Sequence, residues 1–461
     1  MSGGRHGASC QICMAPFRSA GSSRAIERGA GIASSLAASQ RLRQNPTMAK
    51  FVIDPRRAAL LAAWGSLALG TLTARADDWP KTPSQALAFE RADRMPPTSF
   101  YDTPSPLPPG EPGELIRSHA VTGYALPKGA RAVRILYHSQ SATGEDIAAS
   151  GVVLLPPGHA PRGGWPVIAW GHGTSGVARI CGPSEMKDVY YGAELFPFLR
   201  AGFALVAADY AGLGSDAPHA FSSLNGEAND IIDAVRAAHA AVAELSPRWV
   251  VDGHSQGGGA AWLVAQKEAR IGDPGFLGAV CVAGVINLPW ILHYMSIDSS
   301  GSYYALYHAY GIHAQYPEFD PAEMLSKTAL AQYQTLTTRG CWYLGNAASA
   351  SGILGKRVLR PGWMRNSWVR TFIAQNQIFV RRPTRPLLII AGGADAAVPS
   401  SSIRPVIERA CRRGYPLQFR IFPGLDHSAA MRDTISYQLR WIRARFDNRP
   451  ATGNCAKWAS H

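Results

Sequence analysis

The chain has 461 residues, of which 46% are hydrophobic and 17% charged, and its formal net charge at pH 7 is +14. Residues 1–76 hold ten of the 46 Lys and Arg residues and two of the 32 Asp and Glu residues, so the other 385 residues have 36 basic and 30 acidic side chains, a net charge of +6. This mild charge, without a basic cluster, excludes nucleic acid as the expected partner. A chain of that length can form one large α/β domain with an insertion, or two domains.

The N-terminal segment has the pattern of an export signal. Residues 48–57 are a basic stretch, residues 58–72 are apolar, and Ala74-Arg75-Ala76 is a small-x-small cleavage pattern. The apolar run is shorter than the about 20 residues that a membrane span requires. We therefore expect an upstream extension at 1–47, a signal peptide at 48–76 that is cleaved after Ala76, and a secreted or periplasmic mature protein.

Strands and helices are predicted to alternate after residue 130, whereas residues 77–130 are Pro-rich and aperiodic and are expected to form an N-terminal arm. A hairpin-like pair of strands is predicted at 131–139 and 150–155. Further apolar strands are predicted at 166–170, 203–209, 249–251, 277–282, 386–391 and 417–422, and helices at 225–245, 258–265, 403–413 and 435–446. Apolar strands that alternate with helices indicate an α/β fold, in which a mostly parallel sheet is covered by helices on both faces. Residues 131–286 and 377–461 would form this core.

Residues 287–376 interrupt the alternation and are rich in aromatic residues. The segment has 14 Phe, Trp and Tyr residues in 90 positions, well above the 9% of the whole chain. We interpret it as a cap, or lid, inserted between two strands of the sheet. Most of its rings are expected to form the cap's own core, and part of the aromatic surface is expected to bind an apolar substrate.

The most informative motif surrounds Ser255, which follows an apolar strand and precedes a helix of small residues. Gly253 and Gly257 lie two residues before and after it, as in a nucleophile elbow, where a sharp turn exposes the serine and leaves no room for neighbouring side chains. This turn also aims the backbone N–H of the next residue, Gln256, at a developing oxyanion. The motif predicts that Ser255 is a nucleophile.

A serine nucleophile requires a base and a carboxylate that orients the base. Asp395 follows the strand at 386–391 and His427 follows the strand at 417–422, so an acid and then a histidine come from successive strand ends. Asp426 is the rival acid, and it is rejected because a neighbouring residue rarely reaches the far nitrogen of the ring. The rival bases, His293, His308 and His313, lie in the predicted cap and are expected to be structural or exposed.

The second oxyanion donor is expected in the loop after the strand at 166–170, where small residues allow backbone N–H groups to approach a substrate. Gly173 and Thr174 are the two candidates. Asp209, at the end of the next strand, is predicted to be structural and to accept hydrogen bonds from loop amides.

Seven cysteines occur in the chain. Cys10 and Cys13 lie in the segment that is expected to be removed, and no second CxxC pair follows them, so metal binding is not predicted. Cys281 lies within a predicted buried strand and is expected to be a free thiol. The four others, which would remain for pairing in an exported chain, are Cys181, Cys341, Cys411 and Cys455.

Taken together, these motifs resemble the secretory lipases of the lipase-A type, within the α/β-hydrolases. The resemblance is carried by His172-Gly173-Thr174, Asp209-Tyr-x-Gly-Leu-Gly214 with Pro218-His219, the elbow around Ser255, Gly392-x-x-Asp395-x-x-Val398-Pro399 and His427-Ser428, and it spans about residues 100–450. It implies an α/β-hydrolase fold with a helical cap, a carboxylic-ester or triacylglycerol substrate, no metal or cofactor, and disulfides Cys181–Cys341 and Cys411–Cys455. Some members of the family have an acidic residue where this chain has Thr174, so the choice between Gly173 and Thr174 stays open.

The sequence therefore predicts a secreted serine ester hydrolase, a lipase or esterase, with Ser255, Asp395 and His427 as the catalytic triad. Its partners would be a small-molecule ester or lipid and, through the cap, a transient lipid interface, and the oligomeric state is left open. Two other classes of function remain as alternatives. One is a serine peptidase or acyltransferase with the same triad, and the other is an α/β-hydrolase that binds without catalysis.

Overall fold

The computed structural model describes residues 79–295 and 301–459. The predicted extension, the signal peptide with its cleavage site after Ala76, and the pair Cys10 and Cys13 lie outside the described residues.

The described residues contain a nine-stranded sheet with the spatial order β1-β2-β3-β5-β4-β6-β7-β8-β9. The strands are β1 (Leu115–Val121), β2 (Arg131–Gln140), β3 (Asp146–Leu155), β4 (Trp165–Gly171), β5 (Ala204–Ala208), β6 (Leu245–His254), β7 (Phe276–Val282), β8 (Leu387–Gly392) and β9 (Leu417–Phe422). The pairs from β1 to β5 are antiparallel, and those from β5 to β9 are parallel. The carboxyl ends of six neighbouring strands therefore lie along one edge of the sheet.

Twelve α-helices occur in the described part of the chain. They are α1 (Pro83–Asp93), α2 (Phe196–Arg200), α3 (Leu224–Ala241), α4 (Gln256–Ile271), α5 (Leu288–Met295), α6 (Tyr303–Gln315), α7 (Lys327–Thr338), α8 (Trp342–Ala350), α9 (Ser367–Gln375), α10 (Ser400–Arg412), α11 (His427–Arg432) and α12 (Ile435–Phe446). Five of them, α5 to α9, lie between β7 and β8, in the segment for which the aromatic composition predicted a cap.

Alternate residues of the central strands contribute to two different apolar cores. On β4, Val167 and Ala169 belong to the core that includes α3 and α4, whereas Ile168 and Trp170 belong to the core that includes α2 and α12. Successive strand residues point to opposite faces, so a strand that is covered on both sides must be apolar throughout. This explains the continuous apolar runs and confirms the predicted α/β arrangement.

The predicted hairpin-like pair of strands is confirmed, and two other local predictions need correction. β2 and β3 pair in unbroken antiparallel register from Arg131 opposite Leu155 to Gln140 opposite Asp146. The predicted arm is not irregular, because it contains α1, which begins with a capping box between Thr82 and Gln85, and the edge strand β1. The helix predicted at 225–245 ends at Ala241, because residue 245 already pairs with Trp165 as the first residue of β6.

The four candidate cysteines form the two disulfides that the family resemblance implies. Cys181–Cys341 joins the loop after β4 to the start of α8, and Cys411–Cys455 joins α10 to the C-terminal segment. Cys281 is a buried free thiol in β7. No helix in the two described ranges is long and apolar enough to cross a membrane.

Candidate active site

Ser255 lies on a strained turn between β6 and α4. Its φ and ψ angles are 56° and −119°, a left-handed conformation that residues with a side chain rarely adopt. A Cβ on Gly253 would lie 2.1 Å from the carbonyl oxygen of Gly257, and a Cβ on Gly257 would lie 2.0 Å from that of Gly171. Both glycines are therefore required for the turn to close, as the elbow motif predicts.

Asp395 and His427 form a directly hydrogen-bonded pair. His427 Nδ1 donates to Asp395 Oδ2 at 2.8 Å, and Asp395 Oδ1 accepts from the backbone N–H groups of Ala397 and Val398 at 2.9 and 2.8 Å. The carboxylate side chain is fully buried, and that of His427 is 23% exposed. With Nδ1 held by Asp395, His427 presents Nε2 as the nitrogen that can accept a proton.

The loops that bear this pair are closely packed against each other. Gly393 N–H donates to the carbonyl of Phe422 at 2.8 Å, and Ala394 N–H donates to that of Leu425 at 3.0 Å. The rival acid, Asp426, is the N-cap of α11 and accepts from Ala429 N–H at 2.7 Å. Its carboxylate orients a helix rather than the imidazole.

The elbow approaches His427 through the residue before the nucleophile. His254 Nε2 lies 3.1 Å from the carbonyl oxygen of His427, and the two imidazole rings are 4.6 Å apart between centroids. Within the described residues, Ser255 Oγ makes no hydrogen bond to His427. The structure thus brings the three predicted triad residues to one edge of the sheet and joins two of them directly. Catalytic hydrogen bonds are often long until a substrate binds.

The two candidates for the second oxyanion donor differ in their hydrogen bonds. Gly173 N–H donates to the hydroxyl of Tyr191 at 2.8 Å, so this group is already paired. Thr174 is 6% exposed, and its carbonyl accepts from the hydroxyl of Tyr190 at 2.5 Å. In the described ranges, no hydrogen bond occupies the N–H of Thr174 or that of Gln256. These two groups are therefore free to bind an anionic oxygen.

The rival bases lie on α5 and α6. Burial lowers the pKa of His308 to about 4, and its Nδ1 is bonded to the carbonyl of Tyr304. His313 Nδ1 is bonded to the carbonyl of Phe319, and His293 is exposed. Neither His308 nor His313 has a hydrogen bond to a triad residue among those described.

Asp209 has the structural role that the sequence predicts. It is fully buried and accepts hydrogen bonds from the backbone N–H of Ser184 at 2.7 Å and from the hydroxyls of Ser150 and Ser184 at 2.7 and 2.5 Å. Burial nevertheless raises its pKa to about 6.

Sequence reasoning missed three residues that contact the site. Tyr191 and His254 form a hydrogen bond of 2.8 Å, and Glu227 Oε1 accepts from the side-chain amide of Gln256 at 2.7 Å. Burial raises the pKa of Glu227 to about 8. His254 stands within the elbow motif and could have been noted there, whereas no local pattern marks Tyr191 or Glu227.

The sheet order, the strained elbow and the acid–histidine pair define the protein as an α/β-hydrolase. Residues 184–454 match the family model described as secretory lipase, which is more than half of the chain. The chain belongs to the secretory lipase family, and it is therefore a lipolytic, carboxylic-ester hydrolase whose substrate is a small-molecule ester or lipid. No curated protein sequence matches it significantly.

Solved structures with the same fold include three from different organisms. Candida antarctica lipase A is 17% identical with a TM-score of 0.66, over 78% of this chain and 87% of that chain. The rice cell wall degrading esterase LipA from Xanthomonas oryzae is 20% identical with a TM-score of 0.60, over 74% of this chain and 100% of that chain. A putative hydrolase from Legionella pneumophila is 19% identical with a TM-score of 0.61, again over 74% and 100%. At these identities the likeness shows the fold.

Proposed function

We propose that the protein is an exported serine hydrolase that cleaves carboxylic esters through an acyl-enzyme on Ser255. The observation that carries the proposal is the 2.8 Å bond between His427 Nδ1 and Asp395 Oδ2, next to a serine held at a φ of 56°. His427 Nε2 takes the proton of Ser255 Oγ as this oxygen attacks the ester carbonyl. It then gives the proton to the leaving alcohol, and Asp395 stabilises the imidazolium.

The oxyanion would be bound by the backbone N–H groups of Gln256 and Thr174. The pairing of Gly173 with Tyr191 favours Thr174 as the second donor. Each well-aimed donor is worth about 3 kcal/mol of transition-state stabilisation. Water then attacks the acyl-enzyme, with His427 again as the base, and releases the acid.

The helices between β7 and β8 would form a cap that contributes an apolar binding surface. The backbone N–H of Trp342 donates to the carbonyl of Ser175 at 2.7 Å, so this part of the segment lies against the loop that bears Thr174. Trp342, at the start of α8, donates from Nε1 to the Tyr304 hydroxyl at 3.0 Å. Such aromatic side chains suit an ester with an apolar acyl group, and a transient contact with a lipid interface. The signal peptide at 48–76 would direct export and then be removed by cleavage after Ala76.

The test is the Ser255→Ala variant, assayed with p-nitrophenyl esters from acetate to palmitate and with a fluorophosphonate probe. Hydrolysis should fall by at least about a thousandfold, and labelling should disappear, because the nucleophile is gone. Ser222→Ala is the matched control, since Ser222 is also buried and also has a positive φ of 61°. If Ser255→Ala kept a tenth of the wild-type rate, the proposal would be wrong. The chain-length series separates esterase from lipase preference.

A further inference from the structure

We infer that Tyr191 and His254 are positioning residues. They fix the position of the oxyanion loop, residues 172–176, relative to the catalytic imidazole of His427. The inference rests on the proposed function, because it assigns these side chains a role in the chemistry of Ser255. It is carried by a continuous series of hydrogen bonds that joins the two halves of the site.

The series has three bonds. Gly173 N–H donates to the Tyr191 hydroxyl at 2.8 Å, the hydroxyl is 2.8 Å from His254 Nδ1, and His254 Nε2 is 3.1 Å from the carbonyl oxygen of His427. A carbonyl oxygen only accepts, so Nε2 must carry the proton of the ring. Nδ1 of a neutral imidazole is then an acceptor, and Tyr191 must donate to it. Each of the three hydrogen bonds therefore has only one possible donor: Gly173 N–H, the Tyr191 hydroxyl and His254 Nε2–H.

The surroundings keep His254 neutral and limit its movement. Burial lowers the pKa of His254 well below its ordinary value, and the neighbouring His427 lowers it further. His254 is 6% exposed, and the Tyr191 ring packs edge-on against Trp170, with 5.0 Å between centroids. In such a place a lost hydrogen bond leaves a buried polar group unpaired, which is unfavourable.

The series links both functions of the site. Tyr191 occupies the N–H of Gly173, which leaves the next N–H, that of Thr174, for the oxyanion. His254 donates a hydrogen bond to the backbone carbonyl of His427, and Asp395 accepts one from the imidazole of His427. Removal of the Tyr191 hydroxyl would release the Gly173 N–H and allow His254 to move its proton to Nδ1. In that tautomer Nε2 no longer donates to His427.

The primary test is the Tyr191→Phe variant, which keeps the ring and removes only the hydroxyl. We expect kcat to fall by about 10- to 100-fold with KM within threefold, because the loss concerns groups that act in the transition state. Affinity for a trifluoromethyl ketone, whose adduct carries the oxyanion, should fall by the same factor as kcat/KM. Tyr137→Phe is the matched control, since this buried hydroxyl donates to the backbone of Asp230 at 2.9 Å. It should keep full kcat.

Variants of His254 test the series from its other end and guard against a Tyr191→Phe variant that does not fold. His254→Leu should lose at least tenfold in kcat. His254→Gln retains an N–H for the carbonyl of His427 and should recover at least threefold over His254→Leu. The double variant Tyr191→Phe, His254→Leu should lose no more than the worse single variant, because both break one series.

The outcomes separate the inference from the proposed function. Wild-type kcat in Tyr191→Phe and His254→Leu, an equal loss in Tyr137→Phe, or additive losses in the double variant would overturn the inference while the proposed function stands. A wild-type protein that neither hydrolyses esters nor reacts with fluorophosphonate at Ser255 would overturn both.

Discussion

Replacement of Glu227 by Gln should make the protein more stable at neutral and alkaline pH. Glu227 lies on α3 and is 2% exposed, and its Oε2 has no hydrogen-bond partner among the described residues. Burial raises the pKa of this carboxyl from its ordinary value of 4.5 to about 8. The folded protein therefore keeps a proton that the unfolded chain releases above pH 4.5. Ionisation lowers the free energy of the unfolded state as the pH rises above 4.5, whereas the folded state stays protonated up to about pH 8, so the free energy of unfolding falls between these two values.

The magnitude follows from the two pKa values. Each pKa unit corresponds to 1.36 kcal/mol, so ionisation of the unfolded chain costs the native state roughly 3 kcal/mol at pH 7 and about 5 kcal/mol above pH 9. Glutamine cannot ionise, and its carbonyl oxygen can still accept the hydrogen bond from the Gln256 amide. Glu227→Gln should match the wild type near pH 4 and exceed it by these amounts at higher pH.

The assay is urea unfolding of both proteins from pH 4 to pH 9 with the disulfides intact. The difference between their free energies of unfolding isolates Glu227, because other buried acids titrate in both proteins. The expected difference is near zero at pH 4, rises through pH 7 and levels off above pH 8. A difference that does not change with pH would show that Glu227 is already ionised in the folded state, and it would refute the reasoning.

Two further predictions concern the elbow and the disulfides. Gly257→Ala should destabilise the protein by about 1–3 kcal/mol or more and slow fluorophosphonate labelling of Ser255, because the new Cβ would lie 2.0 Å from a backbone oxygen. Gly226→Ala is its control, since that helical position has 3.5 Å of clearance and should gain about 0.5–1 kcal/mol, and equal melting temperatures of the two variants would contradict the argument. Removal of Cys181–Cys341, which spans 160 residues, should cost about 5 kcal/mol by loop entropy, against about 4 kcal/mol for Cys411–Cys455, which spans 44. Double Cys→Ala variants measured by urea unfolding check the order, and a larger loss at the shorter loop would reverse it.

Local patterns in the sequence were sufficient for much of the fold, because they record burial directly. β2, β3 and β9 could be predicted from apolar runs and their boundaries, and the elbow from the spacing of two glycines. The edge strand β1 could not, since its residues are mostly part-exposed and its pairing with β2 is a long-range choice. α1 could have been found from Thr82 and Gln85, which form its capping box.

The acid–histidine pair could be anticipated because parallel strand ends meet at one edge. The link from Tyr191 to His254 could not be anticipated, because it joins residues 63 positions apart and neither belongs to a periodic pattern. The choice between Gly173 and Thr174 likewise depends on a partner that only the folded chain provides. Side-chain contacts between distant segments depend on the whole fold, and local sequence patterns do not encode them.

The bond between Cys181 and Cys341 restricts how an ester can reach Ser255. It tethers the start of α8 to the segment after β4, and Trp342 N–H adds a 2.7 Å bond to the carbonyl of Ser175 in the same loop. α8 consequently cannot move outward unless the loop after β4 moves with it, which would displace the N–H group that we propose for the oxyanion. We therefore expect any movement that admits a substrate to occur in the described helices α6, α7 and α9, which carry no disulfide.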